Sequence, residues 1–247
     1  MLPTSAACHW KTTLPPSRGR RSWKPSRRPA TTGRRRPGSS ASRSASFAIG
    51  WSGLASNDGE RRTRVTAPAA IDRAGRVRAA RQVPSPNFDA RPRGTTLDLL
   101  VVHNISLPPR VYGGDAIVDL FLNRLDSDAH PYFGPLRGLR VSAHFLVRRD
   151  GELIQFVACG KRAWHAGVSS FRGRARCNDY SIGVELEGSD EDPFEPVQYD
   201  VLGRLVRTLR RRYPLGNVAG HSDIAPGRKT DPGPYFDWQR LHAAMAG

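Results

Sequence analysis

Two histidines and an aspartate in this chain are of the right types to hold one metal ion. His103 closes the apolar run Leu99-Leu100-Val101-Val102, and His221 and Asp231 bracket a Pro/Gly-containing loop much later in the chain. Zinc bound by three protein ligands keeps a fourth position open, which is a hydrolase arrangement. Lys229 lies two residues before Asp231, so in extended backbone the two share a face; one can hold the metal while the other meets charge on a substrate. Each feature also has a plain structural reading: a histidine packed at a strand end, or a surface turn with an Asp–Lys pair. Spacing alone does not choose between them.

Other candidates surround this set. Glu185 lies in the apolar stretch Ser181-Ile182-Gly183-Val184-Glu185-Leu186-Glu187-Gly188. A carboxylate there is expensive unless paired or catalytic, and Glu185 could act as base toward a metal-activated water. Glu187 has the same parity, so both glutamates could equally face solvent from an edge strand. His144 reads as a core histidine or a partner to a ligand. His165, in Trp164-His165-Ala166-Gly167, reads as lining a cleft, while His9, His130 and His242 have no supporting context.

The elements that must position these residues follow from hydrophobic period. Leu97–His103 reads as a buried strand ending at the histidine, followed by a Pro/Gly-rich loop to Gly114. Asp115–Leu125 has helical spacing, and Ser127–Gly138 is loop-like. Val141–Arg148 and Leu153–Val157 form a hairpin about Asp150-Gly151, and Ser181–Glu187 is a further strand. Tyr199–Tyr213 is an amphipathic helix burying Val201, Leu202, Leu205, Val206 and Leu209. Val218-Ala219-Gly220 leads into His221, and a helix near Trp238–Met245 closes the domain. The alternation predicts an α/β class with a mixed central β-sheet flanked by helices.

Charge separates the chain into two parts. Of 39 Lys and Arg residues, 14 fall in residues 1–70, against two of the 22 acids, so the formal net charge of +17 belongs mostly to that segment. Rich in Arg, Ser and Pro and without an apolar period, residues 1–70 are expected to be disordered; residues 71–247 are expected to form the domain. The segment has no apolar core for a secretory signal. A transit peptide, a nucleic-acid-binding tail and a true start downstream near Val65 all fit it; solvated disorder without specific nucleic-acid binding is the expectation. Three cysteines, Cys8, Cys159 and Cys177, argue against a disulfide framework, and no apolar run is long enough to span a membrane.

Taken together, Val83–Arg91, Leu99–Pro109, Leu139–Asp150, Lys161–Val168, Arg174–Gly188 and Gly220–Trp238 resemble the zinc-dependent N-acetylmuramoyl-L-alanine amidase family. That family includes phage lysozyme-type amidases and peptidoglycan-recognition proteins. The resemblance runs through residues 71–240 and leaves residues 1–70 without a counterpart. It implies the fold of that family, with zinc on His103, His221 and Asp231, Glu185 as acid/base carboxylate and Lys229 stabilising the oxyanion. It also implies Asn104, Arg140, Trp164, Arg176 and Arg228 along the substrate groove. The activity implied is hydrolysis of the lactyl–L-alanine amide of 1,6-anhydro muropeptides, in a cytoplasmic monomer that recycles cell wall. A non-catalytic peptidoglycan-binding module of the same fold is the alternative.

Overall fold

The structure, a computed structural model, describes residues 70–246, which belong to one compact unit. The expectation of disorder for the basic segment, Ala70 apart, falls outside the described residues. In chain order the strands are β1 (Arg81–Gln82), β2 (Phe88–Ala90), β3 (Leu99–Ile105), β4 (Phe145–Val147), β5 (Leu153–Gln155), β6 (Lys161–Ala163), β7 (Ser170–Phe171), β8 (Arg174–Ala175), β9 (Ser181–Glu187) and β10 (Asn217–Gly220). The helices are α1 (Ala116–Phe121), α2 (Pro196–Arg210), α3 (His221–Ile224) and α4 (Trp238–Ala246), with 3-10 turns at Pro131–Leu136 and Cys177–Asp179.

Six strands form a mixed sheet in the order β1-β5-β4-β9-β3-β10. β9 is parallel to both β3 and β4, and β10 is parallel to β3. The β4–β5 pair is the antiparallel hairpin expected about Asp150-Gly151. Every residue of β3 and β9 is buried, as strands covered on both faces must be.

Strand parity divides the core. Leu100, Val102, Val184, Leu186 and Phe145 pack under Leu202, Leu205 and Leu209 of α2 and Leu241 of α4. On the opposite face Leu99, Val101 and Ala219 meet Ala166, Tyr180 and Ile224, while Ile105 and Leu146 meet Ile117 and Phe121 of α1. The predicted site residues of β3 and β9 with odd numbers, His103 and Glu185, fall on this second face.

Several boundaries differ from expectation for identifiable reasons. β3 runs on through His103 to Ile105, because β9 supplies ladder partners for Asn104 and Ile105 as well; His103 is inside the strand, not at its end. The segment before β4 stays outside the ladder, with Ser142 bonded instead to the Trp164 carbonyl, at 3.1 Å, and through its hydroxyl to the Asn87 carbonyl. α1 is confined to six residues. α2 begins three residues earlier than its apolar period, at Pro196, which is pre-organised for a first helical position, and stops before the Tyr213-Pro214 step. Gly203 lets α4 come close: a Cβ there would stand 2.6 Å from Ala244.

Because Leu202 is fully buried on the face opposite the site, Leu202→Ala should lower unfolding free energy by about 2–5 kcal/mol. Urea unfolding is expected to show an earlier midpoint at unchanged slope, with metal stoichiometry intact; a loss under ~1 kcal/mol would mean this core is looser than described.

Candidate metal centre

The parallel register does most of the assembly. His103 of β3 is paired with Glu185 of β9, and Glu185 with Leu146 of β4. Gly220, the last residue of β10, is paired with Val102, so His221 follows level with His103. One row across the sheet thus carries Leu146, Glu185 and His103, with His221 beside it at the start of α3, near the carboxyl ends of the parallel strands, where open α/β sheets place their ligands. β9 lies between β3 and β4, so the edge-strand reading of Glu185 and Glu187 does not hold.

Asp231 is brought to this row by the loop after α3. The Ser222 N–H donates to the Asp231 carbonyl at 2.9 Å, and the Lys229 N–H to the Ala225 carbonyl at 3.0 Å. Gly220 is required for the approach, since a Cβ there would stand 2.8 Å from Pro232 Cδ. His103 Nδ1, His221 Nδ1 and Asp231 Oδ2 then form a triangle 3.0 Å on each side. All three residues are buried, and their ligand atoms could hold a metal ion. In a tetrahedral site with arms of roughly 2.0–2.1 Å, donor atoms sit about 3.3 Å apart, so the triangle is of the right size. Two imidazoles and a carboxylate form a nitrogen–oxygen set suited to zinc among other divalent ions.

The remaining predicted residues divide by position. Lys229 is buried, at 4% exposure, beside the Asp231 loop, and Glu185 is similarly buried at 5%. Asn104 has the parity opposite to His103; its amide donates to Asp190 Oδ1 at 2.6 Å and to the Pro232 carbonyl at 3.0 Å, clamping the Asp231 loop. Arg228 donates to the carbonyls of Ala166, at 3.0 Å, and Val168. Trp164 is half-buried and Arg140 exposed. Arg176 is exposed, with an ion pair to Asp179 at 3.1 Å.

Glu187, two residues further along β9, is anchored by main chain and by an arginine. It accepts from the Gly113 N–H at 2.7 Å and the Arg149 N–H at 3.1 Å, and pairs with Arg148 at 3.4 Å. That is how a second carboxylate is accommodated in a buried strand.

Two histidines back the row. His165, read from sequence as lining a cleft, stands behind His103 with its Nδ1 2.9 Å from His103 Nε2. Burial, then the neighbouring imidazoles, pulls its pKa well below the ordinary histidine range. His144 is fully buried: its Nδ1 accepts from the Gly183 N–H at 3.0 Å and its Nε2 faces the Lys161 carbonyl at 3.1 Å. Burial, and secondly the Arg91 cation, hold its pKa down to about 3. Asn178, which no spacing singled out, accepts the N–H groups of His165 and Ala166 on one oxygen, at 3.2 and 2.8 Å.

Comparison with known proteins is consistent across sequence and structure. The N-acetylmuramoyl-L-alanine amidase family model matches residues 93–234. The 1,6-anhydro-N-acetylmuramyl-L-alanine amidase AmpD of Enterobacter cloacae is 56% identical over 168 residues, 67% of this chain and 90% of that protein. AmpD of Escherichia coli is 55% identical over 169 residues, 68% of this chain and 92% of that protein. A crystal structure of a selenomethionine derivative of AmpD superposes with a TM-score of 0.69 at 54% identity, covering 71% of this chain and 98% of the other. The solution structure of Citrobacter freundii AmpD gives 0.53 at 54% identity, covering 71% and 94%.

The environment of His144 makes stability depend on pH. Below about pH 6.5 the unfolded chain takes up a proton at this position, which the folded chain refuses until about pH 3. The unfolded state therefore binds more protons in that window, and stability falls as pH drops through it. His144→Asn, which keeps an acceptor for the Gly183 N–H, should show a shallower loss than the parent protein in urea unfolding between pH 7 and 4; parallel losses would remove His144 from the account.

Proposed function

The chain belongs to the N-acetylmuramoyl-L-alanine amidase family, and on that premise we propose that it uses zinc to hydrolyse the amide joining the lactyl group of 1,6-anhydro-N-acetylmuramic acid to L-alanine, in muropeptides released during peptidoglycan turnover and recycled. The observation that carries this reading is the row in which His103, His221 and the Asp231 carboxylate converge beside Glu185. The domain responsible is residues 71–247.

His103, His221 and Asp231 would hold the zinc. When bound, zinc acts as a Lewis acid and lowers the pKa of water toward about 7. Glu185 takes a proton from the attacking water and delivers it to the amine nitrogen of L-alanine as the C–N bond breaks. Its burial keeps bulk water away from that transfer. The Lys229 ammonium compensates the negative charge that grows on the carbonyl oxygen; a preorganised group of this kind contributes about 10²–10³ in rate.

Exposed Arg140 and Arg176 suit the carboxylates of a stem peptide through bidentate, charge-assisted bonds, and half-buried Trp164 offers an apolar face. Arg228 meets substrate with part of its donors committed to the Ala166 and Val168 carbonyls, and Asn104 with both amide N–H groups committed to Asp190 and Pro232. Among the described residues no helix is long and apolar enough to cross a membrane. A cytoplasmic monomer is the reading we adopt, supported by the free thiols of Cys159 and Cys177.

The test is incubation of zinc-loaded protein with an anhydro-muramyl tripeptide and mass spectrometry of the products. Release of the intact tripeptide, stopped by a chelator and restored by zinc, is expected. Binding without cleavage would replace this proposal with a peptidoglycan-binding module. Glu185→Gln should retain one zinc while turnover falls by about 10²–10⁴, and Asp231→Ala should lose zinc; full activity in the first, or unchanged zinc content in the second, removes the role assigned.

A further inference from the structure

The hydrogen bonds behind the triangle determine which nitrogen of each ligand histidine carries its proton. The single hydroxyl proton of Ser181 goes to the Cys177 carbonyl, 2.6 Å away. Toward His165 Nε2, at 3.3 Å, the Ser181 oxygen can only accept, so that nitrogen is the N–H. In a neutral imidazole the other nitrogen is then an acceptor, and His165 Nδ1 takes its bond from His103 Nε2 at 2.9 Å. His103 is left with its Nδ1 lone pair in the triangle. His221 reaches the same state by a shorter route: its Nε2 lies 3.2 Å from the Ala166 carbonyl, an acceptor only, so its Nδ1 also enters the triangle with a lone pair.

Both routes end in the same two residues. The side chain of His165 orients His103, and the carbonyl of Ala166 orients His221. Their two N–H groups converge on Asn178 Oδ1. Asn178 sits in the Cys177–Asp179 turn, whose carbonyls at Asn178 and Asp179 accept from half-buried Arg91 at 2.9 and 2.8 Å. Gly183 leaves room for this layer, since a Cβ there would stand 2.5 Å from the His165 ring.

We infer that His165, Ala166 and Asn178 form a template that fixes His103 and His221 as Nε2–H tautomers and aims both Nδ1 atoms at the metal, with His165 and Asn178 acting as positioning residues. Metal-bound histidines are commonly held through a carboxylate or a carbonyl; here one is held by a second imidazole that ends on a hydroxyl, so no negative charge is placed behind the ligand. The inference rests on the metal set proposed above and not on the substrate.

Zinc affinity measured by competition with a chromophoric chelator, with the metal alone, reads the template directly. His165→Leu and Asn178→Ala should each weaken zinc by about 10–100-fold, the range for loss of a group that orients a ligand. Asn178→Asp, which keeps an oxygen for both N–H groups, should recover most of the loss. Independently of folding in any variant, long-range nitrogen–proton NMR of the zinc-loaded parent protein should show zinc on Nδ1 and a proton on Nε2 in His103 and His221, and a proton on Nε2 of His165. Parent-like affinity in both His165→Leu and Asn178→Ala, or zinc on Nε2 of either ligand, overturns the template. A parent protein that binds no zinc overturns instead the metal set itself.

Discussion

Parallel hydrogen bonding of β3 with β9 and β10 pairs His103 with Glu185 and ends β10 beside Val102, so that α3 begins with His221 next to His103. Because strand side chains alternate faces, a slip of one residue between β3 and β9 would turn His103 or Glu185 toward α2 and α4. The buried apolar residues on both faces make such a slip expensive, since it would exchange Val102 and Val184 for His103 and Glu185 under the helices. The same residues that stabilise the sheet therefore fix the site's geometry.

Burying so many polar groups in one region demands partners, and they are supplied mostly by main chain. Glu187 is held by two backbone N–H groups and Arg148. The Asp231 loop is tied by Ser222 and by the Asn104–Asp190 clamp. Arg91 spends its donors on the carbonyls of Cys159, Asn178, Asp179 and Ser181. This network holds the Cys177–Asp179 turn and the irregular His165–Ala166 segment against the sheet, beside the candidate ligands His103 and His221.

Much of this was legible in the sequence, and the failures have physical causes. β9 was readable to the residue from its alternation, and the inward face of α2 from its 3.6-residue period. The end of β3 was misplaced because His103-Asn104 is polar, whereas the ladder is set by β9 alongside. For Glu185 the pattern was undecided because parity is the same on a central and on an edge strand; strand order, a property of distant pairing, decides it. The contact of His165 with His103 spans 62 residues and leaves no local periodic trace. Asn178 acts through one side-chain oxygen on another segment's backbone, and nothing in residue type or spacing marks that.

X-ray absorption at the zinc edge of the zinc-loaded protein tests the central claim most directly, because it counts the ligands by type. The account predicts a shell of nitrogen and oxygen at about 2.0–2.1 Å, with outer scattering from two imidazoles. A sulfur shell, or scattering from three imidazoles, would contradict it, the first by bringing in a cysteine and the second by making His165 a ligand and not the group that orients one.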